Sequence, residues 1–231
     1  MFSKKPLKSN YDDRTRLLEQ IKYIVIHFTA NDGDTARNNL NYFASNTVKA
    51  SAHFFVDEME VCASVPVENI AWHCGGKKYF GVSPLFYGVC YNSNSIGVEL
   101  CSRQFEDGKF YFLDRTVENA ARLVADLMEK YNVPIDRVIR HYDVVGKNCP
   151  APFVDKDEWA NFLKLVEYYR KGDEPLMYEK LEQIPAGELR DTVAECVEKG
   201  IIKGTGEGLH LTMEMIRCLV FCKRMIDRKE V

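Results

Sequence analysis

Residues 138–150 begin with a β-strand pattern and continue with side chains of the types that can bind a metal ion. Its apolar, β-branched start predicts a strand, and Gly146 predicts the turn that follows. An imidazole, an ammonium and a thiol occur within this stretch, from His141, Lys147 and Cys149. Protein scaffolds usually present reactive groups on loops just past strand ends. The pattern therefore predicts one loop that carries two good zinc ligands, His141 and Cys149.

A third candidate ligand comes from a distant apolar run. Residues 23–28, with the sequence YIVIHF, predict a buried strand that carries His27 near its C-terminal end. A histidine and a cysteine alone are more often packed core residues, because free cysteine is among the most buried residue types. Two histidines and one cysteine match an open catalytic zinc site, whose fourth position is left for water. We therefore predict that His27, His141 and Cys149 bind Zn²⁺.

Five short motifs carry a family resemblance. They are IHFT (26–29), SAHF (51–54), AWH (71–73), SIGVEL (95–100) and the segment from His141 to the GKNCP run that ends at Pro150. Together they resemble the type-2 family of N-acetylmuramoyl-L-alanine amidases, which includes phage endolysins and shares its fold with peptidoglycan recognition proteins. The resemblance covers roughly residues 20–165.

This resemblance implies both a fold and a reaction. The expected fold is α/β, with a central mixed β-sheet flanked by helices. The expected reaction is zinc-dependent hydrolysis of the amide bond between N-acetylmuramic acid and L-alanine, in peptidoglycan or a muropeptide. The candidate ligands by themselves indicate only metal-assisted hydrolysis.

Two further residues have expected catalytic roles. Glu99 lies in the middle of a predicted central strand, 95–101, where a carboxylate is costly to bury without a partner. The resemblance implies that Glu99 is a general base beside the metal, and the alternative is a structural glutamate in a salt bridge. Lys147 is expected to stabilise the oxyanion from its loop, and the alternative is an exposed loop lysine.

The AWH motif is expected on the substrate side of the site. Trp72 offers a flat apolar surface for a sugar or a peptide, unless it is buried beneath its loop. The resemblance places His73 beside the substrate. His53 lies among apolar residues and is predicted to be a core histidine with a satisfied hydrogen bond. Some phage members of the family have a proposed catalytic tyrosine before this histidine, and this chain has Ala52 instead.

Apolar periodicity predicts the other elements. Helices are expected from residue 34 or 35 to 45, from 114 or 116 to 131, and from 155 to 172, with a hairpin between 53–56 and 61–65. Residues 1–22 are expected to form an arm that leads into the fold. We predict a catalytic domain over residues 1–172 and a small helical C-terminal domain over 173–231, joined near 173–175.

Composition limits the partners and the location. The chain has 231 residues and a formal net charge of −3, so no basic surface suggests nucleic acid as a partner. No apolar run reaches the about 18 residues of a membrane span. The N-terminus has no apolar segment of a signal peptide, which predicts synthesis in the cytoplasm. Most of the eight cysteines are therefore expected to be free thiols.

Residues 173–231 resemble, weakly, half of an S-layer-homology repeat, which is a wall-attachment module. Alternatively they are a helical packing extension, or they pair with another copy and make a homo-oligomer. The lack of a signal-peptide pattern and the presence of residues 173–231 favour a phage or prophage endolysin, which would reach the cell wall after release through a holin. The alternatives are a cytoplasmic amidase that recycles muropeptides, a peptidoglycan-binding protein without catalysis, and a cysteine peptidase with Cys149 as the nucleophile.

Overall fold

The computed structural model describes residues 2–3, 6–79, 81–172, 177–204 and 208–227. The chain forms two compact units, Met1–Asp155 and Lys156–Val231. The domain boundary predicted after residue 172 falls on residues 173–176, which lie outside the described residues, and it stays a prediction. The compact units divide earlier, after Asp155, so that the helix predicted at 155–172 belongs to the second unit.

Short strands and a few longer helices make up the described residues. The strands are β1 (Phe2–Ser3), β2 (Tyr11–Asp12), β3 (Tyr23–Phe28), β4 (Phe54–Val56), β5 (Val61–Ala63), β6 (Ile70–Ala71), β7 (Ser95–Leu100), β8 (Arg103–Gln104), β9 (Phe110–Tyr111), β10 (Val138–Arg140), β11 (Met177–Tyr178) and β12 (Leu211–Thr212). The α-helices are α1 (Ala36–Ser45), α2 (Asp114–Tyr131), α3 (His141–Val145), α4 (Lys156–Lys171), α5 (Glu188–Glu198) and α6 (Met213–Asp227). Short 3-10 turns occur at Lys8–Asn10, Leu18–Gln20, Asn92–Asn94, Ile135–Arg137, Ala151–Phe153 and Leu181–Gln183.

A six-stranded sheet with the order β1-β5-β4-β7-β3-β10 organises the first unit. The pair β4–β5 is antiparallel, whereas β4–β7, β7–β3 and β3–β10 are parallel. The predicted mixed α/β sheet is therefore confirmed. The N-terminal segment does more than the expected arm, because β1 pairs with β5 at the sheet edge and β2 pairs with β6.

The two faces of the central strands have different chemistry. Side chains alternate across a strand, so His27, Gly97 and Glu99 lie on one face and Ile26 and Val98 on the other. Ile26 and Val98 are fully buried, as expected for the apolar face of a core strand. The predicted hairpin 53–65 and the helices at 35–45 and 114–131 are confirmed, and Thr35 caps α1 by accepting from the Asn38 N–H. The central strands thus bring one histidine and one carboxylate to a common face.

The segment after β10 differs from the prediction. His141 begins the short helix α3, whereas the sequence predicted a loop there. Asp143 explains the helix, because its Oδ2 accepts from the Arg140 backbone N–H at 2.8 Å and its carboxylate pairs with the Arg140 guanidinium. Gly146 ends the helix in the left-handed conformation, with φ of 79°. His141 is therefore presented by the first turn of a helix.

The second unit has its own apolar core. The buried residues of this core are Tyr178, Ile184, Leu189, Val193, Leu211, Met213, Ile216 and Val220. Helices α5 and α6 lie within residues 173–231, which the sequence predicted to be helical. The expected junction at 173–175 and residues 205–207 lie outside the described residues. Among the helices that the structure describes, none is both long and apolar enough to span a bilayer.

Candidate active site

The three predicted metal ligands meet in one buried cluster. One potential ligand atom from each of His27, His141 and Cys149 lies within 4.8 Å of the other two. The Cys149 sulfur is 3.7 Å from Nδ1 of His27, and the two imidazole rings meet edge to face. All three residues are buried, with at most 6% of any one exposed. His27 lies on strand β3, His141 begins helix α3, and Cys149 lies in the segment that follows α3.

The chemistry of this cluster fits a metal ion. Both ring nitrogens of His141 are buried, and neither has a hydrogen-bond partner in the described part of the chain. Burial, with a smaller effect from the Lys147 charge, lowers the pKa of His141 to about 4. Burial also holds the pKa of His27 well below 6.5, so both imidazoles are neutral at pH 7. Neutral imidazoles and a thiol are the ligand types that a zinc site uses.

The Cys149 thiol requires a positive charge to ionise at neutral pH. Burial raises the pKa of this thiol to about 12, and the nearby Glu99 contributes in the same direction. A coordinated metal ion removes the proton from a thiol outright. The two neutral histidines and this thiol therefore form a donor set that is incomplete without a cation.

Glu99 lies beside the cluster, on the same face of the sheet. It pairs with His27 in the register of β7 and β3. Its Oε2 atom is buried, with no hydrogen-bond partner among the described residues. Burial raises the pKa of Glu99 to about 8, although the nearby Lys147 ammonium acts in the opposite direction. The structure thus brings Glu99 and Lys147 to the predicted ligands, with Lys147 on the exposed side.

His73 has surroundings that its expected substrate role did not predict. Its Nδ1 lies 3.0 Å from Nε2 of His27, and its Nε2 lies 3.2 Å from the Ser95 hydroxyl. The ring also fills the space over Gly97, where a Cβ atom would meet the ring Cγ at 2.5 Å. Both of its nitrogens are therefore engaged within the protein. A direct role for His73 in substrate binding stays a prediction.

Trp72 lines a cavity of about 540 Å³. Tyr87, Tyr91 and Arg14 line the same cavity, whereas the described lining includes none of the three candidate ligands. The substrate-binding role of Trp72 likewise stays a prediction. Sequence reasoning missed Ser95, because a serine at the start of a strand carries no signal of its own.

His53 is a core histidine, as predicted. It is fully buried, and its Nδ1 accepts a hydrogen bond from the Gly97 N–H at 2.9 Å. Its other nitrogen lies 3.0 Å from the Arg16 guanidinium, which is itself buried and binds the carbonyl oxygens of Val67 and Ser95. The sequence did not predict this role of Arg16. The pair holds β7 against the N-terminal segment of the first unit.

The sequence from residue 17 to 152 matches the profile of the N-acetylmuramoyl-L-alanine amidase family. The chain belongs to this family. A probable N-acetylmuramoyl-L-alanine amidase of Bacillus licheniformis is 39% identical to this chain over 167 residues, and the match covers 70% of the chain and 46% of that relative. The chain thus spans less than half the length of this curated relative.

Solved structures of two proteins share the fold of this chain. The structure of PlyL is 30% identical, with a TM-score of 0.57, and the match covers 72% of this chain and 96% of PlyL. A solved mutant endolysin from Bacillus subtilis is 28% identical, with a TM-score of 0.56 over 72% of this chain and 99% of that protein. Both matches agree with the mixed sheet and helices of the first unit.

Proposed function

We propose that the chain is a zinc-dependent amidase that hydrolyses the bond between N-acetylmuramic acid and L-alanine in peptidoglycan. The observation that carries this proposal is the buried cluster of His27, His141 and Cys149 with Glu99 on the same face of the sheet. Membership of the family supplies the substrate. Both ring nitrogens of His141 lack a hydrogen-bond partner among the described residues, which supports a metal at the cluster.

Each residue of the cluster has a defined task. His27, through Nδ1, would hold Zn²⁺ together with His141 and the Cys149 thiolate. When bound, zinc lowers the pKa of a water molecule towards about 7 and polarises the scissile carbonyl. Glu99 accepts the proton of the attacking water and returns it to the leaving amine. In the metal-free chain burial raises the pKa of Glu99 to about 8, and a bound cation would lower this pKa towards neutrality, where the carboxylate suits both steps. Lys147 stabilises the negative charge that develops on the carbonyl oxygen.

Purified full-length protein and isolated cell walls test the reaction. We expect walls to release new N-terminal alanine, a chelator to abolish that release, and added Zn²⁺ to restore it. Cys149→Ser should lose zinc and activity together. Metal-replete protein that binds a muropeptide yet releases no alanine would contradict the enzyme proposal and favour a binding protein.

The same experiment distinguishes a cysteine peptidase. Such an enzyme would keep its activity in the chelator and lose it after alkylation of Cys149. Both candidate histidines precede Cys149 in the chain, whereas related wall hydrolases of that kind place the cysteine first. Zinc chemistry is therefore the favoured interpretation.

We further propose that the chain acts as an endolysin. The fold match to the Bacillus subtilis endolysin supports this role. An endolysin should cleave intact sacculi at least as well as soluble muropeptides. A chain that cleaves only soluble anhydro-muropeptides would instead be a recycling amidase.

A further inference from the structure

We infer that His73 is a positioning residue that holds His27 in the one tautomer able to bind the metal, with Ser95 and the Tyr91 carbonyl completing the hydrogen-bonded chain. This inference rests on the proposed metal site and adds to it. In this role His73 contacts the candidate metal ligand His27, whereas the resemblance implied a contact with the substrate. The direction of each hydrogen bond follows from the two ends of the chain, which are the metal-binding nitrogen of His27 and the Tyr91 carbonyl oxygen.

The two nitrogens of His27 face different partners. Nδ1 lies 3.7 Å from the Cys149 sulfur and so points towards the ligand cluster. Nε2 lies 3.0 Å from Nδ1 of His73. A neutral imidazole carries one proton, and a nitrogen that binds a metal must offer its lone pair. The proton of a metal-binding His27 is therefore on Nε2, and it is donated to His73.

The direction of this first bond determines the next two. Nδ1 of His73 accepts, so its proton is on Nε2, which lies 3.2 Å from the Ser95 Oγ. The Ser95 hydroxyl in turn donates to the Tyr91 carbonyl oxygen at 2.6 Å. A carbonyl oxygen can only accept, so the chain has a fixed end. Reversing the bond between the histidines would put a proton on Nδ1 of His27 and block the metal.

The surrounding residues hold the His73 ring in place. The backbone N–H groups of His73 and Cys74 both donate to Oδ1 of Asn92, at 3.0 and 2.9 Å. Gly97 provides the room for the ring, since any side chain there would overlap it. These contacts fix the loop and the ring before any metal binds. Preorganised partners of this kind are typically worth about 10–100-fold in metal affinity or activity.

Substitutions that keep or remove the acceptor test the role of His73. His73→Asn keeps an oxygen near the position of Nδ1, whereas His73→Leu removes the acceptor. Ser95→Ala keeps the His73 ring but removes its outer partner. Ser102→Ala is the matched control, because its hydroxyl is also fully buried and binds a carbonyl, that of Asn31.

The readout is the Zn²⁺ dissociation constant of the full-length chain, measured by competition with a chromophoric chelator. We expect His73→Leu to weaken zinc binding by about 10–100-fold and His73→Asn to recover most of that loss. Ser95→Ala should weaken it by a smaller factor, and Ser102→Ala should leave it unchanged. Because His73 acts through His27, kcat at subsaturating zinc should fall while KM changes little.

Thermal unfolding of the metal-free proteins separates binding from folding. A folded His73→Leu variant that binds zinc as tightly as the wild type would overturn the inference. If that variant does not fold, Ser95→Ala decides, and equal zinc affinity in Ser95→Ala and Ser102→Ala would overturn it as well. A wild-type chain that binds no zinc would overturn the proposed function together with this inference.

Discussion

Glu99 and His27 lie directly opposite each other in the parallel register of β7 and β3. Their side chains therefore emerge on one face of the sheet, so that a half-buried carboxylate, with its Oε2 atom shielded from solvent, lies beside a neutral imidazole. Oε2 of Glu99 has no hydrogen-bond partner among the described residues, and burial raises the pKa of its carboxyl group. Both observations support the proposed proton transfer by Glu99.

Glu99→Gln should abolish turnover while leaving the metal bound. We expect kcat to fall by about 10²–10⁴-fold, the usual contribution of a general base, because the amide cannot accept the proton of water. Zinc content and muropeptide affinity should stay near the wild-type values. Glu106→Gln, which neutralises an exposed carboxylate, is the control and should keep full activity. A Glu99→Gln enzyme with near-normal kcat would remove Glu99 from the mechanism.

The same substitution should change the pH dependence of stability in chelator-treated protein. Burial raises the pKa of Glu99 from 4.5 to about 8, so between these values the folded chain holds a proton that the unfolded chain has lost. The stability from this group is fully present below pH 4.5 and is lost as the pH rises through 8. The glutamine of Glu99→Gln cannot ionise, so the free energy of unfolding of the variant should rise relative to that of the wild type as the pH is raised.

Chemical denaturation at pH 5 and pH 9 measures this effect. At pH 9 the variant should be more stable than the wild type by about 1–3 kcal/mol, because its amide carries no charge that folding would remove from water. At pH 5 the variant and the wild type should differ much less. Equal unfolding free energies at both pH values would mean that the folded protein does not bury the charge of Glu99.

Lys147→Met should slow the reaction without loss of metal. Loss of one oxyanion-stabilising group typically reduces kcat by about 10²–10³-fold. Because the Lys147 side chain is exposed, its removal should leave the unfolding free energy within about 0.5 kcal/mol. Lys22→Met serves as the control, because Lys22 is also exposed and precedes the start of β3, whereas His27 lies near the end of that strand. Unchanged kcat in Lys147→Met would make this residue an ordinary loop lysine.

Gly97→Ala should disturb the metal site through His73. The added Cβ would lie 2.5 Å from the His73 ring, so the ring must move or the strand must shift, at about 1–3 kcal/mol of stability. We expect weaker zinc binding together with a lower unfolding free energy. Gly75→Ala is the matched control, because the nearest atom to a Cβ at that position is 3.6 Å away. Equal zinc affinity in both variants would show that the ring can move without effect on His27.

Several parts of the fold and site followed from local patterns. The apolar run at 23–28 and the pattern at 95–100 predicted strands, and both strands are observed. That His27 and Glu99 share one face of the sheet followed only from the register of β3 and β7. The three candidate ligands were identified by their residue types and by the family motifs, and the structure brings them together. Local patterns suffice for these strands because a short apolar run is itself a strand signal.

Other parts depended on contacts that no local pattern encodes. The sequence did not predict that His141 begins a helix, which follows from the pairing of Arg140 with Asp143. It also did not predict that β1 joins the sheet edge or that α4 belongs to the second compact unit. Each of these features is set by which segments pack or pair.

The amino-acid sequence alone identified the candidate ligands, the candidate general base and the strands that carry His27 and Glu99, because residue types, short motifs and apolar runs are local properties. Only the tertiary structure showed which side chains surround His73. Its motif suggested contact with substrate, and the folded chain places its ring between His27 and Ser95. The direction of a hydrogen bond depends on which atoms finally meet, and distant segments meet only when the chain has folded.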